Sequence, residues 1–394
     1  MDVKTLQAVP FNSDAVSFYK NISTTDISET ARQTVALKQG DGKEWSVEEL
    51  IAMQFSYVKS LAESFAQENV RDVVVTVPPF YSQFERDAIV DAVEVSGLKT
   101  LALVNDGTAV AINYAMTRNF HNVPEYHIIY DAGASSIRAT VVGFSSVEDK
   151  KEGTGTQISV MGVGWVRDVG GLELDRRLRE ILVETFEGEH KKDIRKDKKG
   201  MARLWKEANR IKAILSANQE ATSNVESLAW GIDFKTKVAR ATFEQACVDL
   251  QPKFVQPIDD ALQAAGIDLD SVASLIFTGG SSRSPMIQAA VRNFVGEDKL
   301  AYNVNADEAA VLGAALYGAS LSRQFKTKNI KVQDIGVYDV QASYAAATSS
   351  NARPRSITTL IFPTGSKLGT KKTLTFKRKE DFTINLDYRA PFAK

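Results

Sequence analysis

A single cysteine, three histidines and no excess of either charge in 394 residues exclude several classes of protein before any motif is sought. Cys247 has no second thiol to pair with, so no internal disulfide framework can be read in either redox compartment. His121, His127 and His190 lack zinc-ligand spacing, which argues against a metal held through histidine. With 48 Lys and Arg against 49 Asp and Glu, no basic surplus exists to recruit nucleic acid. The longest apolar run, residues 309–321, is too short and too rich in small residues to span a bilayer. Residues 1–11 lack the apolar core of a secretory signal. What is present, 44% hydrophobic and 25% charged residues, is the composition of a globular chain long enough for two or three compact units.

The chain is organised around residues 126–144, Tyr-His-Ile-Ile-Tyr-Asp-Ala-Gly-Ala-Ser-Ser-Ile-Arg-Ala-Thr-Val-Val-Gly-Phe. The pattern predicts two strands, 127–130 and 137–142, joined by a turn at 131–136. Nothing larger than Ser follows Asp131 in that turn, so its backbone N–H groups can close around an anion. Asp131 can then hold a hydrated metal ion beside the anion. An ordinary tight hairpin has the same pattern.

Upstream, Ser46 and Glu49 form a capping box before a helix whose apolar face is marked by Leu50, Met53, Tyr57, Leu61 and Phe65. A strand (72–77), a helix (82–96) closed by Gly97, a strand (101–104) and Asn105-Asp106-Gly107-Thr108 lead into a small-residue helix, 109–116. The same order returns as a strand (274–277), a Gly279-Gly280 turn, a helix (285–295), residues 301–304, Ala306-Asp307 and a small-residue helix, 309–320. Asp106 lies 29 residues after Val77, and Asp307 lies 29 residues after Thr278. This doubled unit predicts two similar lobes with a cleft between them. The small faces of the two final helices suit either a hinge or plain core packing. Helices at 172–186 and 203–218, a strand at 234–241 and a helical region at 243–265 fill the interval. After Ser322 the helical pattern gives way to short alternating runs at 331–343, 356–362, 372–377 and 382–388, an all-β unit.

Gly279-Gly280 before a helix N-terminus offers a second anion-facing turn, with Arg283 placed to stack on a base or pair with a phosphate. Taken with the hairpin and the doubled unit, it resembles the actin-like ATPase fold, and within it the heat-shock-protein-70 superfamily. Ile276-Phe277-Thr278-Gly279-Gly280-Ser281-Ser282-Arg283-Ser284-Pro285 looks like that family's adenosine motif. Asn303-Val304-Asn305-Ala306-Asp307-Glu308-Ala309-Ala310 looks like its second connecting motif, and residues 104–111 like its first. Gly162-Val163-Gly164-Trp165, Glu207-Ala208-Asn209-Arg210 and Leu215-Ser216-Ala217-Asn218 look most like the endoplasmic-reticulum branch of large chaperones, the hypoxia up-regulated type.

That resemblance implies an α/β, actin-like (ribonuclease H-like) two-lobed domain over residues 1–322. A linker at 323–333 and a partial β-sandwich substrate-binding domain at 334–394 would follow. It implies ATP or ADP with Mg2+ as cofactor. Phosphates would meet Gly133, Ala134, Ser135 and Ser136, with Gly171 beside them from the second lobe. Base and ribose would meet Lys212, Ser216, Gly279, Gly280, Ser281, Arg283 and Asp307. Asp106, Asp131 and Ser136 stand at the catalytic positions in weak or vestigial form, and Asp131 would hold the metal through water. The family's opening strand–Asp-x-Gly-Thr hairpin and its water-positioning Lys are not in this sequence, so Met1 is expected to fall after both, and after any signal peptide.

Departures matter too. Hydrolytic members have a run of glycines and a Thr where this chain has Gly133-Ala134-Ser135-Ser136, a Glu at Asp106, and a carboxylate at Arg138. Phosphoryl transfer depends on positioning, so these changes should slow chemistry more than binding. The altered linker puts standard coupling between domains in doubt. The implied function is a nucleotide exchange factor in the endoplasmic-reticulum lumen, acting on a lumenal heat-shock-70 partner chaperone and holding unfolded polypeptides, with weak or absent hydrolysis. The alternatives are an actin-like ATPase or phosphotransferase with genuine turnover, and a nucleotide-free scaffold.

Overall fold

A computed structural model describes residues 3–149, 153–322, 325, 327–346 and 355–389. The first elements are α1 (Asp14–Ile22) and an antiparallel sheet of β1 (Ile27–Glu29), β2 (Val35–Lys38) and β3 (Glu44–Ser46). These runs of three and four residues are too short to show a period, so the sequence does not announce them.

Helix α2 (Val47–Ala66) starts where its capping box predicts. Ser46 Oγ accepts from the Glu49 N–H, and Glu49 Oε2 accepts from the Ser46 N–H at 2.8 Å. Its buried face differs from expectation. Val47, Ile51 and Ala52 pack with Leu6, Tyr19 and Val35, whereas Tyr57 is 65% and Phe65 94% exposed. The i, i+4 stripe nearest the small sheet is the one with something to pack against; among the described residues nothing covers the other.

Strand β4 (Asp72–Val77), α3 (Gln83–Val95), β5 (Lys99–Asn105) and α4 (Asp106–Met116) form the first copy of the doubled unit, with β4 and β5 parallel. Next come β6 (Glu125–Ala132), β7 (Ile137–Asp149) and β8 (Gly153–Val166), then α5 (Gly171–His190), α6 (Lys198–Ala217), β9 (Glu220–Ala229), β10 (Ile232–Ala239), α7 (Arg240–Gln245) and α8 (Gln251–Ala265). The second copy is β11 (Val272–Thr278), α9 (Pro285–Val295), β12 (Leu300–Ala301) and α10 (Ala309–Leu321), again with parallel strands.

The two small-residue helices do cross closely. A Cβ on Gly313 of α10 would lie 1.7 Å from the Ala109 carbonyl oxygen of α4, so only hydrogen fits there. Gly162 and Gly164 do the same for α8 against β8, where a Cβ would come within 2.2 Å of the Ala261 and 2.1 Å of the Pro257 carbonyl oxygens. The central sheet has the order β12-β11-β6-β7-β8-β13, where β13 (Ile330–Gln333) lies parallel to β8. A three-stranded antiparallel sheet follows, with β14 (Val340–Ala345) between β15 (Ser356–Phe362) and β16 (Ile384–Tyr388). The strand expected at 372–377 does not form. Part of the linker expected at 323–333 lies outside the described residues. No helix is long and apolar enough to cross a membrane among the described residues.

Candidate nucleotide site

Strands β6 and β11 are parallel neighbours, with Asp131 level with Thr278. The turns that follow them therefore leave the sheet side by side, at the carboxyl ends of strands where α/β folds commonly place ligands. Gly279 sits at φ +80°, and a Cβ there would be 2.4 Å from both the Ala132 carbonyl oxygen and Asp131 Oδ1. Space and backbone conformation both demand glycine.

The first turn is closed by the Gly133 N–H donating to the Ser136 carbonyl at 3.0 Å. Ala134 and Ser135 are exposed, whereas Ser136 is buried. Helix α5 fastens the turn from below: the Gly171 N–H donates to the Gly133 carbonyl at 3.0 Å and the Leu172 N–H to the Ala134 carbonyl at 2.8 Å. Gly170 is there for room, since a Cβ would stand 2.5 Å from the Ala134 oxygen.

A cavity of about 440 Å³ opens between the two turns and α6. Ala134, Gly171, Lys212, Ser216, Gly280, Ser281 and Arg283 line it. Lys212 Nζ is held by Asp175 Oδ1 at 2.8 Å and the Gly171 carbonyl at 2.9 Å. Ser216 Oγ donates to the Ala213 carbonyl at 2.7 Å. Arg283 pairs with Asp307 at 2.5 Å, both more than half exposed, which fixes the guanidinium at the rim. Gly133, Gly279 and Asp307 are not among the lining residues; they shape the walls.

Ala134 also borders a larger cavity, about 960 Å³, whose lining includes Ser135, Ser136, Arg138 and, from the first lobe, Tyr81 and Glu85. Glu85 is paired with Arg167. Burial pushes the Tyr81 hydroxyl up to about 12. Of the three residues expected to be catalytic, Ser136 lines this cavity, while Asp106 and Asp131 are not among its lining residues and pair with Arg138. Arg138 Nη1 is 2.9 Å from Asp106 Oδ2, and Nη2 is 2.5 Å from Asp131 Oδ2. The three side chains are 12%, 12% and 16% exposed. Burial raises the Asp106 carboxyl to about 6, with Arg138 pulling it down and Asp131 adding to the rise. Burial works against the Arg138 charge, but the two carboxylates outweigh it and hold the guanidinium above its ordinary value.

Asp131, expected to hold a hydrated ion, has one of its two oxygens accepting from Arg138. Sequence reasoning marked Arg138 only as a departure from a family pattern. Its antiparallel partner across the β6–β7 hairpin is Asp131, and that register was the signal available. Asp175, the anchor of Lys212, carried no comparable signal. It looks like any acid on an amphipathic helix.

A mixed sheet, a doubled strand–helix unit, crossed small-residue helices and two turns on one cleft define an actin-like, two-lobed α/β fold. The family described as Hsp70 protein matches residues 1–390, and the chain belongs to that family. It is 37% identical to hypoxia up-regulated protein 1 of Xenopus laevis over 370 residues, covering 92% of this chain and 57% of that protein. It is 38% identical to the Danio rerio protein of the same name over 365 residues and 37% identical to that of Homo sapiens over 367. Each alignment covers 91% of this chain and 37% of the relative. The chain therefore spans between about a third and three fifths of the length of these relatives.

Proposed function

We propose that this chain binds ATP and ADP and is the nucleotide-controlled part of an Hsp70-family chaperone. The observation that carries the reading is the cavity between the Ala134 and Ser281 turns, walled by Lys212, Ser216 and Arg283. Adenosine fits that hollow, against Ser216, Gly280, Ser281 and Arg283, the last steadied by Asp307. Phosphates extend past Gly171 and Lys212 to the exposed Ala134–Ser135 stretch of the turn, where backbone and lysine offer positive potential. Nucleotide-binding domains of the family take ATP or ADP with Mg2+.

Asp106, Asp131 and Ser136 are read as a weak catalytic set. Positioning of water and metal supplies most of the rate in phosphoryl transfer, and Arg138 occupies both carboxylates. Slow or absent hydrolysis follows, with nucleotide selecting a conformation. The relatives' name points to service under stress, and the resemblance to the large-chaperone branch supports the endoplasmic-reticulum lumen as the site of the whole protein. There it promotes nucleotide exchange on a heat-shock-70 partner and holds unfolded polypeptides. Titration of the chain with a fluorescent ATP analogue tests the binding step, and a saturable signal displaced by ATP is expected. No saturable signal at any concentration would leave only a scaffold. Affinity for the partner chaperone with and without ATP tests the second step.

A further inference from the structure

The nucleotide reading leaves one side chain unexplained. Arg138 enters from β7, crosses over Gly133 with Nη2 at 3.4 Å from where a Cβ would be, and ends between two carboxylates that come from different elements. Asp106 opens α4 in the first lobe; Asp131 ends β6 in the second. A magnesium ion held here would need octahedral oxygen ligands at about 2.0–2.1 Å, directly or through ordered water. The inner oxygens that could anchor those waters, Asp106 Oδ2 and Asp131 Oδ2, already accept from the guanidinium. To seat a dication between them, Arg138 would have to leave two ion pairs in a largely buried site, and stranding a buried charge is costly. The carboxylate pair does not fit a metal ion.

Arg138 also faces the right way to do the ion's work. It lines the larger cavity together with Ala134, Ser135 and Ser136, the turn that receives phosphates. A guanidinium stays charged at every accessible pH, and its planar fork matches phosphate oxygens. A purely structural ion pair would explain the two carboxylate contacts but not the placement beside the Ala134–Ser136 turn on the larger cavity. We infer that Arg138 takes the place of the divalent cation, so that this site accepts a nucleoside di- or triphosphate without bound metal. The inference rests on the proposal that the chain binds nucleotide.

The test uses the full chain and a fluorescent ATP analogue, titrated once with excess Mg2+ and once with excess EDTA. The wild-type dissociation constants should agree within about threefold. A larger loss in EDTA overturns the inference while leaving nucleotide binding intact. No saturable binding in either buffer overturns both. Arg138→Met should bind at least about tenfold more weakly than wild type in EDTA and regain affinity when Mg2+ is added, because the freed carboxylates can then hold a hydrated ion. Arg138→Lys keeps the charge and guards against misfolding; it should retain binding in EDTA, and its failure to do so while still folded would count against a role for the charge.

Discussion

Thr108 Oγ1 donates a 2.5 Å hydrogen bond to Asp334 Oδ2, joining residues 226 apart in the chain. Asn105 Nδ2 reaches the same oxygen at 3.0 Å, and Arg86 Nη2 holds Asn105 Oδ1 at 2.9 Å. The residue that follows β13 is thereby tied to the junction of β5 and α4, where Asp106 stands. Within the stretch read as a linker, β13 is paired into the central sheet, and Asp334 just after it holds α4.

Replacing Asp334 by Ala leaves the Asn105 amide and Thr108 hydroxyl without their shared acceptor in a largely buried place. Loss of about 1–3 kcal/mol is expected, read as a shift in the urea midpoint at constant slope. Asp334→Asn keeps an acceptor oxygen and should lose less than half as much. Equal losses in the two variants would mean that the hydrogen bonds are not what matters.

Asp106 sets one slope of the pH–stability curve. Its folded value, about 6, lies above the unfolded value near 3.8, so the folded protein holds this proton more tightly. The stabilisation is complete below the unfolded value and is lost as pH rises to about 6. Its size is on the order of 2–3 kcal/mol. Asp106→Asn should remove that slope and be more stable than wild type at neutral pH, since Arg138 keeps Asp131 as partner. Chemical denaturation between about pH 4 and pH 7 would reveal it.

His127 supplies an opposing slope. Burial holds its imidazole below the ordinary value, with Glu125 pulling the other way. Its ring nitrogens lie 2.9 Å from Ser274 Oγ and 2.9 Å from Glu125 Oε1. The unfolded chain takes up the proton first, so this contribution is present above about pH 6.5 and fades as pH falls. Because the two slopes oppose, each must be read as a difference from wild type. His127→Gln should show a smaller drop in melting temperature between about pH 7 and pH 5 than wild type shows.

Gly313→Ala puts a methyl group into the space of the Ala109 carbonyl, which would lie 1.7 Å away. Helices α4 and α10 must then separate, and a loss of about 1–3 kcal/mol is expected in thermal or denaturant unfolding. Gly318→Ala on the same helix meets only the Val74 side chain at 3.1 Å and should cost distinctly less.

The sequence showed the repeated unit because acid and small residues recur at fixed spacing, and the glycine turns because glycine spacing survives any local context. Capping at Ser46 was legible for the same reason: its two hydrogen bonds lie within four residues of chain. What failed was whatever depends on distant neighbours. The exposed stripe of α2 reads as apolar, but periodicity does not say what lies opposite. The strand expected at 372–377 has alternating residues yet no partner edge among the described strands. Seven of the residues expected to meet nucleotide do line one cavity, Ala134 through Arg283, whereas the Arg138 bridge needed the register of β6 on β7 to be seen.

Strands β6 and β11, helix α5 and helix α6 share one hydrophobic core, and the two turns are pinned to it. Anything seated between Ala134 and Ser281 therefore rests on a single stiff anvil, assembled when the chain folds and needing no adjustment on arrival. Motion of the opposite wall can change how long an occupant stays, while the seat itself keeps its shape. Fit is then set by Ser281 and Lys212 on that seat, apart from Tyr81 and Glu85, which border the larger cavity.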